Sequence, residues 1–514
     1  MQHRIIGRRA TCVTVAAIVA GLLAFPGASR GETIQSAQSA KALLGDVLDY
    51  ITELVASSDE GLTLKLDGEA SAQPVGQSVE MIFPSPSIVE PNGSGFHLGN
   101  VSASVTPQQK DSYEFSLDLP GAVTISDATG VTEGRIEWSG SAVRGIWRAD
   151  FDTTTVLHSK LKNVRFVDVS SDKEEIFGNI NSVALDQQLE KSANGWWGGP
   201  FTFDVLNIKI TPPGKTDQIS LEKISMSGNF QDFDLAGWQA LSEWGSTLSI
   251  PKEGSTANSF GNSKAAASIF EAINLGAGIT RLQVSDLRYG PPGLKQFKMA
   301  GLAVDMSYDN GARPGAYSLA IDWDDLEQND SDIPPAFFTH TGSMKLHLEQ
   351  FPLRQILTQS LRQHAPTGPV TGNKFGNQLQ GMILPLINAN QTSLRLEELV
   401  LESSVAAVAA SGTISAREAS ALGVVGEARV EIAGLDKLIA NTAREAVTGT
   451  QAPEFLAFLT FAKGLGRPEV GDDGKLVYIF DIVLPADGIV QINDIPLNLL
   501  QNSGTTALPP ASHS

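Results

Sequence analysis

Apolar positions along the chain change their period in a recurring order. Over Ala428–Ala440, Val430 and Ile432 alternate with polar neighbours as in a strand. Leu435, Leu438 and Ile439 then take the spacing of one helical face. Asp436 stands at the change, where a carboxylate can cap a first turn. Two earlier stretches share this grammar of apolar, two spacers, apolar, helix starter. They are Phe230-Gln-Asp-Phe233-Asp234 and Leu348-Glu-Gln-Phe351-Pro352, set beside Ile432-Ala-Gly-Leu435-Asp436. The sequence thus predicts three structural switches from strand to helix, at Phe233/Asp234, Phe351/Pro352 and Leu435/Asp436.

A helix is predicted over Ser36–Val55, whose Leu43, Leu44, Val47, Leu48 and Ile51 share one face. Period-two runs follow at Leu62–Leu66, Tyr113–Leu119, Arg135–Trp138, Gly145–Phe151 and Lys162–Val169. Phe201–Val205 and Ile208–Ile210 predict two further short strands. One apolar and one polar face per strand is the pattern of an antiparallel sheet covered on one side.

Each switch leads into a predicted helix pair: Leu235–Leu248 with Lys264–Leu275, Leu353–Leu361 with Phe375–Ile387, and Asp436–Val447 with Glu454–Leu465. A return strand follows each pair, at Leu282–Tyr289, Leu394–Leu401 and Leu476–Val483. Leu282 and Leu394 lie 112 positions apart, Phe230 and Leu348 118. The next intervals, Leu394 to Leu476 and Leu348 to Ile432, are 82 and 84. Two landmarks keeping pace through both intervals predict a degenerate internal repeat.

The expected fold is α+β: a large curved antiparallel β-sheet of meanders with helix pairs packed on one face. The expected divisions are a signal peptide over 1–31, an N-terminal helix plus β-meander over 32–233, repeat units over 234–351, 352–435 and 436–502, and a disordered tail over 503–514. A groove between the apolar sheet face and the helices follows from this layout.

The N-terminus predicts export from the cytoplasm. Arg4, Arg8 and Arg9 precede Thr11–Phe25, an apolar run of about 15 residues, and small residues follow Pro26. Cleavage after Ala28 or Gly31 gives a periplasmic protein with no transmembrane span in the mature chain. The alternative is an inner-membrane protein anchored by an uncleaved N-terminal segment. Cys12, the one cysteine, lies inside the apolar run, so the mature chain has neither disulfide nor thiolate chemistry. Removing the leader leaves 33 basic against 57 acidic residues, a net charge of −24, which argues against nucleic acid as a partner.

Catalytic patterns are sparse. The seven histidines include no HExxH, and no GxSxG, P-loop or GxGxxG occurs. Ser170–Lys173 and Ser220–Lys223 match SxxK without the companion motifs of that enzyme class. The acidic run Asp322, Asp324, Asp325, Glu327, Asp330 and Asp332 lacks the spacing and glycine of a calcium loop. No cofactor or metal is expected, and the chain is not expected to be an enzyme. Gly195-Trp196-Trp197-Gly-Gly-Pro-Phe201 is the most conspicuous binding candidate, because paired indoles in a Gly/Pro loop form either a partner platform or a core plug.

The exported N-terminus, the meanders, the Val430-Glu-Ile-Ala-Gly-Leu-Asp-Lys-Leu-Ile439 switch and the closing Asp487-Gly-Ile489-Val-Gln-Ile492-Asn493-Asp-Ile-Pro496-Leu497 carry a resemblance. Together they resemble the domain-of-unknown-function 2125 family of exported alphaproteobacterial proteins. More distantly, the closing motif is similar to AsmA-like and YdgA-like envelope proteins. The resemblance implies a β-rich envelope protein handling lipids or maintaining the envelope, with no catalytic residues to carry over. AsmA-like proteins keep an N-terminal anchor, whereas this N-terminus has the features of a cleavable one. Two functions are expected from this. One is a non-enzymatic periplasmic protein sheltering a lipid or other apolar ligand between sheet and helices. The other is a structural protein with a filled core that holds an envelope protein partner through the loop around Trp196, Trp197 and Phe201.

Overall fold

The computed structural model describes residues 37–56, 61–109, 111–151, 153–170, 174–247, 267–291, 297–311, 314–328, 339–363, 383–447, 453–471 and 474–497. Its fold class is α+β, dominated by large antiparallel sheet. The chain divides into two compact units, Met1–Gln239 with Leu282–Gln296, and Ala240–Arg281 with Phe297–Ser514.

The first unit opens with α1 (Ala37–Ala56), then β1 (Thr63–Lys65), β2 (Ser71–Val75), β3 (Ser78–Phe83), β4 (Ser87–Val89) and β5 (Gly95–Leu98). β6 (Val101–Gln109), β7 (Ser112–Asp118), β8 (Ala122–Ser126), β9 (Thr132–Glu137) and β10 (Gly140–Arg148) continue it. Longer strands close it: β11 (Thr153–Asp168), β12 (Glu175–Gln188), β13 (Glu190–Lys191), β14 (Trp197–Ile210) and β15 (Gln218–Phe233). Two branches of sheet meet on β11, whose Thr153–Lys162 half pairs with β10 and whose Arg165–Asp168 half pairs with β9.

The apolar stripe of α1 is buried on the first branch. Leu43, Leu44, Val47 and Ile51 pack on alternate residues of β3, β6 and β7, among them Met81, Val105 and Phe115. This helix–sheet layer is filled, leaving an apolar void of only about 40 Å³. Phe96, Val123, Trp138 and Val164 form a second cluster on the other branch.

Two expected strand boundaries are corrected. Lys162–Val169 is the second half of β11, and Phe201–Val205 and Ile208–Ile210 are one strand, β14. Asn163 and Asn207 have φ of 50° and 53°, the left-handed region that asparagine tolerates. Each reverses the in–out alternation without ending its strand, so Leu161 and Val164 join the same cluster. Flanking pairs place Asn163 opposite Asn181 and Asn181 opposite Asn207, in a line across three strands.

α2 (Leu235–Thr247) and β16 (Ala277–Gly290) are each divided between the units. The second unit holds β17 (Phe297–Asp309), β18 (Gly315–Asp324), β19 (Glu327–Gln328), β20 (Thr339–Phe351), α3 (Leu353–Gln363), β21 (Ser393–Ser403), β22 (Ala407–Ala416) and β23 (Val424–Ala433). It ends with α4 (Leu435–Val447), α5 (Pro453–Leu465), β24 (Arg467–Val470), β25 (Leu476–Leu484), β26 (Gln491–Ile492) and β27 (Ile495–Pro496). Residues 267–272 and 383–389 are helical within the two further predicted helices, whose remaining parts lie outside the described residues. The leader, the loops 254–263 and 366–372 and the tail 503–514 also lie outside them.

All three strand-to-helix switches form, with one change of register. Trp238, Ile356 and Leu438 N–H groups donate at 3.0 Å to the carbonyls of Asp234, Pro352 and Gly434. The residues preceding the three helices are therefore Asp234, Pro352 and Gly434. Asp234 caps α2 by accepting the Gly237 N–H at 3.0 Å. Asp436 is not a cap, contrary to expectation, because it lies inside the first turn of α4. Gly434 holds the cap position with φ of 77°, where a Cβ would strike the Val405 carbonyl.

Candidate functional site

The pairing registers of the second unit bring its apolar residues into four rows across β17, β18, β20, β21, β22, β23 and β25. The first row is Leu302, Trp323, Gly342, Leu401, Val408, Ile432 and Tyr478, and the second is Val304, Ile321, Met344, Leu399, Ala410, Val430 and Phe480. The third is Met306, Leu319, Leu346, Leu396, Gly412, Ala428 and Ile482. The fourth is Tyr308, Tyr317, Leu348, Leu394, Ile414, Gly426 and Leu484. None of these positions carries a charge. Intervening residues put charges on the other face, where Arg281 pairs with Asp305 at 3.5 Å, His347 with Glu397 at 2.6 Å and Arg429 with Asp481 at 3.6 Å.

Burial along this face is uneven. At its C-terminal end Tyr478 and Phe480 are buried beneath Leu435 of α4 and Leu459 of α5. From β17 to β22 no row member is fully buried, and Met306, Leu394 and Ile414 are 47%, 44% and 50% exposed. The equivalent face under α1 in the first unit is closed.

Beside the fourth row lies a cavity of about 390 Å³. Gly315 and Phe351, paired at the ends of β18 and β20, form part of its wall. α3 supplies Arg354, Gln355, Thr358, Gln359 and Arg362, which share one side of the helix by their spacing. Ile356 points the other way and is buried. One terminal nitrogen of Arg354 reaches the carbonyls of Glu271 at 3.1 Å and Ile273 at 2.6 Å. Arg362 pairs with Glu271 at 2.6 Å. The Tyr317 ring packs edge-on to Phe351 and its hydroxyl donates to Asn310. Burial pushes the Tyr317 hydroxyl up to about 12, keeping it a donor at neutral pH.

Residues singled out from sequence fall elsewhere. Trp197 is only 6% exposed, edge-on to Phe151 at 5.6 Å and under the Arg148 guanidinium at 5.7 Å. Trp196 is half-buried beside it, and Phe201 stacks on Phe230 at 5.1 Å. Trp197 therefore closes the end of β14. Phe233 stacks on Trp238 at the first switch, and Leu435 is buried at the third. Asp436 accepts the Tyr478 hydroxyl at 3.1 Å and pairs with Lys463 of α5, whose ammonium holds its carboxyl below the usual range.

The polar motifs also resolve. His97 bridges Ser87 and Ser126, His158 pairs with Asp186, and His340 meets the Leu326 carbonyl. Lys223 of the second SxxK match lies mid-strand and pairs with Asp204 at 3.1 Å. Asp325 and Glu327 gather around Lys298, while Asp330 and Asp332 lie outside the described residues. Among the described residues no His, Cys, Asp or Glu group is arranged to hold a metal, and no helix is long and apolar enough to cross a membrane.

Sequence reasoning passed over the α3 strip. Its signal was there, as Arg354, Thr358 and Arg362 recur every four residues opposite Ile356. Such a strip ordinarily faces water, and only the tertiary structure turns it onto a cavity. Compared with known protein families, curated proteins and solved structures, the chain matches none.

Proposed function

We propose that this is a non-enzymatic periplasmic envelope protein that shelters a lipid or another long apolar ligand on the sheet face of its second unit. The observation that carries the reading is the set of four uncharged rows, covered at the α4–α5 end and open between β17 and β22. Covering the exposed parts of Met306, Leu394 and Ile414 gains roughly 1 kcal/mol apiece, about 3 kcal/mol together and short of millimolar affinity, so a bound chain has to cover more of the rows than these three residues. The filled layer beneath α1 in the first unit offers no comparable space. Enclosure of Trp197 counts against the loop as a partner platform.

Native mass spectrometry of gently purified protein tests the reading. The expected result is a bound mass that organic extraction removes and whose loss lowers the melting temperature. A consistently empty protein with the same melting temperature before and after extraction would sink it. Sequencing the mature N-terminus checks the compartment, with residue 29 or 32 expected first.

A further inference from the structure

The geometry points to the α3 cavity as an oxyanion subsite that takes the charged head of an amphiphile whose tail lies on the apolar rows. The proposal rests on the ligand-sheltering reading above and adds the chemistry of the head. Three observations carry it. The first is charge: among the described residues Arg354 and Arg362 line the cavity with one carboxylate, Glu271, a formal balance of +1. That balance suits a singly charged anion, and guanidinium groups bind carboxylate and phosphate oxygens in fork geometry.

The second is the Thr358 hydroxyl. Thr358 lies between the two arginines along α3, is only 5% exposed and lines the cavity, yet its Oγ1 has no hydrogen-bond partner. A buried hydroxyl without a partner is a standing cost, and rotation of the Thr358 side chain toward the cavity would let a ligand oxygen remove it. The third is position. The Gly315–Phe351 pair in the cavity wall ends the strands that carry Tyr317 and Leu348 of the fourth row. Leu275, Pro314 and Leu353 add apolar wall, with Asn310 beside them. A head in the cavity thus continues into a tail on the face.

Isothermal titration of the full mature chain with decanoate, 1-decanol and acetate separates head from tail. Decanoate is expected to bind about tenfold tighter than decanol, the gain of one charge-assisted contact, with acetate binding far more weakly than either. In Arg362→Gln the decanoate advantage should vanish while decanol binding persists. In Thr358→Val, a near-isosteric change that removes the orphan hydroxyl, the melting temperature should hold or rise while decanoate binding weakens. Equal binding of decanoate and decanol to the unaltered protein would overturn the subsite and leave the apolar face standing. Binding of acetate as tightly as decanoate would show a site for free anions and overturn the amphiphile. Failure of all three ligands would overturn both readings together.

Discussion

The indole of Trp323 lies flat over the Cα of Gly342, its cross-strand partner in the first apolar row. A Cβ at Gly342 would strike the ring at its Cζ2. The same arrangement joins Phe115 to Gly145, at 2.8 Å from the site of a Cβ, and Phe166 to Gly178, at 3.0 Å. Glycine here lets a large ring lie along the sheet instead of standing up from it, which keeps the face smooth.

Gly342→Val is therefore expected to lift the Trp323 ring and cost about 1–3 kcal/mol, the usual penalty of overpacking. Urea denaturation monitored by tryptophan fluorescence measures it. An unchanged midpoint would show that the ring moves aside freely.

The line of asparagines gives a second expectation. Asn207→Gly should be tolerated, because glycine accepts the φ of 53° found there. Asn207→Val should cost about 1–3 kcal/mol, since a β-branched side chain is strained in that region. Equal midpoints for the two variants would contradict the left-handed assignment.

Those asparagines also explain how much of the fold was legible from sequence. Alternation marks a strand only while the pleat is regular. At Asn207 the apolar positions pass from Val205 to Ile208 and the parity breaks, so one strand resembled two. The helix starts were legible because the periods on either side differ so strongly. Asp436 misled because an acid at a helix start has two uses, and the choice depends on Lys463 and Tyr478, distant in sequence. The apolar rows were half legible: each strand showed its own face, but the register that aligns seven faces is a long-range property. The α3 cavity was hidden for the same reason.

Asp436 and Lys463 join α4 to α5, and the pair gives a pH dependence with a definite sign. The Lys463 ammonium, helped by the Tyr478 hydroxyl, holds the Asp436 carboxyl below its ordinary value. In turn the Asp436 carboxylate raises Lys463. A lowered carboxyl contributes stability present above its unfolded value and lost as pH falls through the folded one. A raised ammonium contributes stability present below its unfolded value and lost as pH rises through the folded one. Asp436→Asn should thus melt slightly below the unaltered protein at neutral pH, and the difference should close in strong acid. Both side chains are largely exposed, so the effect is small. A large, pH-independent loss would instead indicate a helix cap.

Leu394 and Ile414 face each other in the fourth row with 44% and 50% of their surfaces exposed. Residues this open contribute little to folding, so their role has to be tested through binding. Replacing both by glutamine should leave stability within about 0.5 kcal/mol per site, as for other surface changes. Phe115→Gln, on the closed face under α1, should instead cost about 3–5 kcal/mol, comparable to truncating a core aromatic. The two proteins separate folding from function. If the open face holds the ligand, the Leu394/Ile414 double variant keeps its melting temperature and loses several-fold in affinity for decanol and in the mass carried through native purification. Retention of full binding would place the ligand elsewhere. A collapse in melting temperature would show that this region is covered in the folded protein and supports its core.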